Sequence, residues 1–257
     1  MMKKFSCLLS FLLLWTLPVN SKTLEQNLNV NIGIFDAARA TMQYEIDENS
    51  YAFSSAVKTA GLFGKLYYFD ALYSTKGKIV DNKFITQSYQ YTSKSSSHTR
   101  TKELVFDKFG TLYERKSSKD NKEKVVKIDV KNQIFDFNDL QSVFAYLTKQ
   151  LKENRFCDTK QTVFDGKKTY QISITDEGLT DFADKDVAYK GKALKCSMII
   201  KRTDTQDDDL LFNTTAEREI YFWIAKHEQM PFVAKIEIDS TPLGKLKAYT
   251  TDVNIKE

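Results

Sequence analysis

Apolar and polar residues alternate with a period of two along most of this chain. Ala40, Met42, Tyr44 and Ile46 alternate with Thr41, Gln43 and Glu45, and Tyr51, Phe53, Ser55, Val57 and Thr59 follow at the same spacing. Such a period puts each apolar set on one face of a β-strand. Asp47-Glu48-Asn49-Ser50 between the two runs is turn chemistry, so residues 40–59 are expected to form a hairpin. Strand-like runs recur near residues 69–79, 84–94, 98–107, 111–117 and 123–129, and again near 194–202, 216–225, 231–240 and 245–254. Ser117-Ser118-Lys119-Asp120-Asn121 predicts a hairpin tip, and Asp165-Gly166 between Val163-Phe164 and Thr169-Tyr170 predicts another.

One segment breaks the alternation. Leu140, Val143, Phe144, Leu147 and Leu151 have the spacing of one face of an α-helix. Asn138 is the expected N-cap, with Gln141 as its capping-box partner. A shorter helical turn is expected over residues 62–68, after Gly61. The simplest role for the long helix is to lay its apolar stripe on a sheet. No fixed-period repeat and no low-complexity linker divides the chain, so residues 22–257 read as a single β-rich domain. The expected fold is mainly β and antiparallel. It is a strongly curved sheet, an incomplete barrel or a two-layer arrangement, with one main amphipathic helix.

The N-terminus follows a different pattern. Lys3-Lys4 precede an apolar run over residues 5–17, and Pro18-Val19-Asn20-Ser21 follows. Positive residues, a short apolar block and small residues before a cut are the layout of a cleaved secretory signal peptide. The run is shorter than the ~20 apolar residues that span a bilayer. Residues 1–21 are therefore expected to be removed, leaving no transmembrane segment in the mature chain and a periplasmic location. Cys7 lies at the start of the apolar run, where a lipid-anchoring cysteine does not belong.

Export changes the charge. Of 38 basic and 34 acidic side chains, the leader removes two basic ones, and the net charge falls from +4 to about +2. A chain this close to balance lacks the basic excess of a nucleic-acid binder, so no nucleic-acid partner is expected. Export also bears on Cys157 and Cys196, the two cysteines left. An even pair in an oxidising compartment reads as a disulfide. Two separate buried thiols, or a metal or redox pair, are the competing readings.

The motifs of catalysis are mostly missing. The chain contains no GxSxG, HExxH or phosphate-binding glycine loop. His98 and His227 lie far apart among polar neighbours and read as surface positions. Residues 204–209 are acidic but lack the glycine and distal glutamate of a calcium-binding loop, and read as a solvated connection. No cofactor, metal or catalytic residue is assigned.

Aromatic residues are more suggestive, with 18 Phe and 13 Tyr. Ile220, Tyr221, Phe222, Trp223 and Ile224 run consecutively, so this strand is apolar on both faces. It is covered either by a filled second layer or by an apolar pocket.

Several segments together resemble an exported bacterial family, that of domain of unknown function 3108. They are Val57-Lys58-Thr59-Ala60-Gly61-Leu62, Val163-Phe164-Asp165-Gly166-Lys167-Lys168-Thr169-Tyr170, Tyr221-Phe222-Trp223-Ile224, and Pro231 followed by Ser240-Thr241-Pro242-Leu243-Gly244. The resemblance covers residues 28–254. It implies an envelope protein with an antiparallel β-rich fold, and supplies no activity or catalytic residues. Family members of one type carry a cysteine before and another after the Val-Phe-Asp-Gly segment, which supports pairing Cys157 with Cys196.

Three functions are therefore weighed. The first is a non-enzymatic periplasmic protein whose curved sheet binds a lipid or other apolar ligand, lined by Leu140, Val143, Phe144, Leu147, Tyr221 and Trp223. The second is an envelope structural or assembly factor that works through protein–protein contacts, for which an exposed apolar patch would speak. The third is a hydrolase with paired carboxylates.

Overall fold

A computed structural model describes residues 22–129, 135–153, 156–184, 186–202, 218–241 and 244–256. Residues 1–21 and 204–209 lie outside these.

The alternating runs form a single antiparallel sheet of 14 strands. In chain order they are β1 (Thr23–Ile32), β2 (Phe35–Ile46), β3 (Ser50–Thr59), β4 (Phe69–Val80), β5 (Lys83–Ser95), β6 (Thr99–Phe106), β7 (Leu112–Lys119) and β8 (Lys122–Lys127). After the long helix come β9 (Thr159–Phe164), β10 (Thr169–Phe182), β11 (Gly191–Arg202), β12 (Ile220–His227), β13 (Met230–Thr241) and β14 (Gly244–Lys256). Among the described residues two helices interrupt them, α1 (Gly61–Leu66) and α2 (Leu140–Glu153).

The strand order is β8-β7-β6-β5-β4-β3-β2-β1-β14-β13-β12-β11-β10-β9. Each half of the chain is thus a meander, and β1 joins the halves by pairing with β2 on one side and β14 on the other. This strand was not expected from the sequence. Leu24, Leu28, Val30 and Ile32 do alternate, but Gln26 occupies one of their inward positions and weakens the pattern. The structure resolves the mismatch by burying Gln26 and bonding it. Its Oε1 accepts from the Val233 amide at 3.2 Å and its Nε2 approaches the Met42 sulfur at 3.4 Å. A buried amide needs such partners.

The sheet does not close, because β8 and β9 are its two edges. It curls until its ends meet. The β9–β10 turn reaches the inner side of β6 and β7, where Asp165 pairs with Lys102 at 2.9 Å and Gly166 lies against Leu104 and Arg115. Phe164 packs with Tyr89, Leu104 and Leu112 in a small core of their own. Phe137 bridges to Val163 along the outer edge of β9. Of the expected arrangements, a curved sheet, an incomplete barrel or two layers, the fold observed is one curved antiparallel sheet that does not close.

The curl leaves a concave face, and α2 fills it. Val143, Leu147 and Leu151 are buried there, while Leu140 and Phe144 are partly buried against the same core. Burying each of the three aliphatic side chains contributes roughly 1.5–3 kcal/mol. The expected 40–59 hairpin is present, with Tyr44, Ile46, Tyr51 and Phe53 pointing into the core.

Three hairpins turn through pairs of residues with positive φ: Asp81-Asn82, Asp120-Asn121 and Glu228-Gln229. Both central residues of such a turn are left-handed, which Asn and Gly tolerate and most residues do not. Glu228 and Gln229, at φ 45° and 70°, are the poor fit. Gln229→Gly should therefore raise stability by about 1 kcal/mol, seen as a higher urea midpoint. An unchanged or lower midpoint would show that the turn carries no such cost.

Candidate functional site

The concave face holds two neighbouring features, one polar and one apolar. The polar one surrounds Asp139, which immediately precedes α2. Its Oδ1 accepts the Ser142 amide at 2.9 Å, which makes it the N-cap of the helix. The expected cap, Asn138, lies one residue too early, and its buried Oδ1 has no hydrogen-bond partner among the described residues. Gln141 does not complete a capping box either. Its Oε1 accepts from Thr75 at 2.9 Å and its Nε2 donates to Ser55 at 3.1 Å. The cap shifts because Asp139 finds hydroxyls on the sheet beneath it. The Thr75 hydroxyl lies 2.9 Å from Oδ1 as well, its one proton shared with Gln141, and Ser142 donates to Oδ2 at 2.7 Å. Tyr51 joins the same network through Ser142 at 2.9 Å and Thr86 at 3.2 Å. The ring of Tyr51 sits where a Cβ at Gly77 would be, within 2.4 Å, so the glycine makes room for it.

Burial holds the Asp139 carboxyl above its usual range, against the hydrogen bonds from Ser142 and Thr75 that favour the charged form. Burial also pushes the Tyr51 hydroxyl up to about 12. The hydrogen-bond partners of Asp139 are hydroxyls and amides. This network seats the helix on the sheet, and among the described residues no second carboxyl is bonded into it.

The apolar feature is a cleft beside the same helix, lined by Phe144 and Leu147 with Met42, Tyr44, Phe53 and Phe222 among others. Its volume is about 40 Å³. Pockets for small molecules run to roughly 300–1,000 Å³, so this one is close to a packing gap. Tyr44 stacks on Phe53 at 5.7 Å, and its buried hydroxyl has no hydrogen-bond partner among the described residues.

Of the expected apolar lining, Phe144 and Leu147 face the cleft, and Leu140 and Val143 pack in the core around it. Tyr221 and Trp223 do not join them. They alternate with the buried Phe222 and Ile224 and sit on the opposite, outer face of β12. There Lys195 lies 4.4 Å over the Tyr221 ring and Lys235 lies 5.0 Å over Trp223. Phe182 packs beside Trp223 at 6.2 Å. The sequence offered no way to choose, since both faces of this strand are apolar.

Cys157 and Cys196 are brought together, with sulfurs 2.10 Å apart and Cα atoms 6.5 Å apart. Cys157 follows α2 and Cys196 lies on β11, so the bridge ties the end of the helix to the sheet. Both ends of α2 are thus fastened, one by Asp139 and the other by the cysteines.

The histidines lie elsewhere. His98 pairs with Asp120 at 2.7 Å at a hairpin tip, and His227 ends β12 on the exterior. Among the described residues no cluster of His, Cys, Asp and Glu could hold a metal. None of the described helices is long and apolar enough to cross a membrane.

The sequence did not point to the feature that stands out on the surface. At one end of the barrel lie Ile34 on the β1–β2 turn, Phe35 at the start of β2, and Leu62, Leu66 and Tyr67 of α1 and its cap, and all five are exposed. Phe35 and Phe63 join the two segments with rings 6.3 Å apart. No residue of α1 is buried. Apolar patches of this kind mark interaction surfaces.

No curated protein matches this sequence. Among solved structures, the chain is similar to a β-barrel-like protein of domain of unknown function DUF1849 from Brucella abortus. The two are 10% identical, the match covers 92% of this chain and 98% of the other, and the TM-score is 0.49. The family model described as protein of unknown function (DUF3108) matches residues 27–249, from β1 into β14. The chain belongs to that family.

Proposed function

We propose that this protein is an exported, non-enzymatic component of the cell envelope that works through its outer surface. The observation that carries this reading is the exposed apolar end formed by Ile34, Phe35, Leu62, Leu66 and Tyr67. A large apolar area open to water is costly unless something covers it. The interior reads as structural, because α2 fills the concave face and leaves about 40 Å³. Two features support export: the leader-like residues 1–21 and a cysteine pair at bonding distance. A carrier of apolar ligands is the second reading, favoured by the unpartnered Tyr44 hydroxyl in the cleft. It requires α2 to move, although both ends of that helix are held.

The two readings separate in one experiment. The Leu62→Ser/Leu66→Ser variant should keep its melting temperature and lose retention in the envelope fraction, while native mass spectrometry of the unmodified protein finds no bound lipid. Full retention of the variant, together with a lipid-loaded native protein, would move the function to the interior.

A further inference from the structure

The exposed end has an unusual construction. Helices normally turn their large apolar side chains toward the body of the protein. In α1 the backbone comes closest to the strands at two glycines, and Phe63 alone among its large side chains turns back, to meet Phe35. A Cβ at Gly61 would lie 2.6 Å from the Asp36 carbonyl oxygen, and one at Gly64 would lie 3.0 Å from that of Thr59. Gly61 also has φ +56°, which a side chain would strain. The helix backbone therefore lies directly on β2 and β3, and Leu62 and Leu66 are turned away from it. Ile34 and Leu66 stand 91% and 76% exposed. These are projecting side chains on a turn and a short helix. A projection of this shape suits a soft apolar medium better than it suits a groove-binding peptide.

Charge selects the medium. Just behind the projection, cross-strand pairing places Arg39, Lys58, Asp70 and Lys94 in one row across β2, β3, β4 and β5. Lys65 on α1 adds a further cation. Arg39 is bonded to Asp36 at 2.8 Å, while Lys58 and Lys65 have no ion pair among the described residues. Four cations thus face two carboxylates. Tyr68 directly follows the tip residue Tyr67 in the chain. An apolar tip joined to tyrosines and backed by cations matches the acyl, interfacial and phosphate layers of a bilayer.

We infer that Ile34, Phe35, Leu62, Leu66 and Tyr67 insert shallowly into an anionic lipid surface, with Lys58 and Lys65 against the headgroup phosphates. This rests on the surface reading above and names its occupant. Vesicle flotation tests it, with purified protein and phosphatidylglycerol/phosphatidylethanolamine vesicles against phosphatidylcholine vesicles. The protein should float with the anionic vesicles and stay behind with the neutral ones. Ile34→Ser/Leu66→Ser should weaken binding by about tenfold or more, from the lost apolar insertion. Lys58→Gln and Lys65→Gln should each weaken it by about fivefold and reduce its salt sensitivity. All variants sit on exposed positions, and unchanged melting temperatures establish that they fold. Failure to float with anionic vesicles, equal binding to both vesicle types, or binding indifferent to these substitutions would overturn the inference. If flotation fails while the Leu62→Ser/Leu66→Ser variant still leaves the envelope fraction, the occupant is a protein. The surface reading then stands without this one.

Discussion

Replacing Cys157 and Cys196 together by serine should lower stability by about 2–5 kcal/mol, the usual range for loss of a native disulfide. The two residues are 39 apart in sequence, and closing a loop of that size is worth roughly 4 kcal/mol in the chain-entropy description. In a domain of this length each kcal/mol moves the melting temperature by about 2–4 °C, so a fall of roughly 4–20 °C is expected. Reductant should have the same effect on the native chain and none on the serine variant. The bridge also holds the segment just after α2 against β11, so its loss should first loosen the helix on the concave face. Hydrogen exchange should rise in α2 before it rises in the central strands. A melting temperature indifferent to reductant would mean that the bond is not formed in the isolated protein.

The second large effect is expected at the other end of the same helix. Asp139→Ala removes the N-cap, leaves the buried Ser142 amide without its acceptor and takes one partner each from the hydroxyls of Thr75 and Ser142. Losing a cap and breaking a buried network together cost about 2–4 kcal/mol. Asp139→Asn should behave differently, because asparagine caps as well: its one oxygen keeps the Ser142 amide, and its NH2 group faces hydroxyls that can turn to accept. Burial raises the folded-state pKa of Asp139 above the unfolded value near 3.8, so the folded chain binds the proton more tightly. The stability this adds is complete below the unfolded value and is lost as pH rises through the raised folded one. The asparagine variant stays neutral and should lack that loss. Urea midpoints from pH 4 to pH 8 test this, and the variant should gain on the native protein as pH rises. Parallel profiles for the two proteins would show that Asp139 does not titrate as its burial requires.

Both predictions concern a helix that was plain in the sequence and whose fastenings were only partly so. The stripe of Leu140, Val143, Phe144, Leu147 and Leu151 is a local periodicity, and α2 forms where it predicts. Its cap was placed at Asn138 because a cap motif specifies residue types within a few positions. Asp139 won because Thr75 and Thr86 wait on β4 and β5, and their proximity is a product of folding. The same limit applied to Tyr221 and Trp223. Alternation assigns residues to two faces, but a strand apolar on both does not say which is inside. The curl of the sheet decides, and it turns Phe222 and Ile224 inward.

The sequence by itself determined the antiparallel β character, the hairpin over residues 40–59, the turns near Asp120-Asn121 and Asp165-Gly166, and the single main helix. Each follows from the order of residues over a dozen positions or fewer, where backbone geometry converts periodicity directly into a face. Only the tertiary structure decided that β1 joins the two halves, that α2 nearly fills the concave face, and that α1 turns its leucines outward. These outcomes depend on what a distant segment places beside a residue: Val233 beside Gln26, the sheet's polar residues beside Asp139, and the Asp36 and Thr59 carbonyls beside Gly61 and Gly64. A glycine reads the same in any sequence, and here it is the backbone lying against it that turns α1 into an exposed apolar tip.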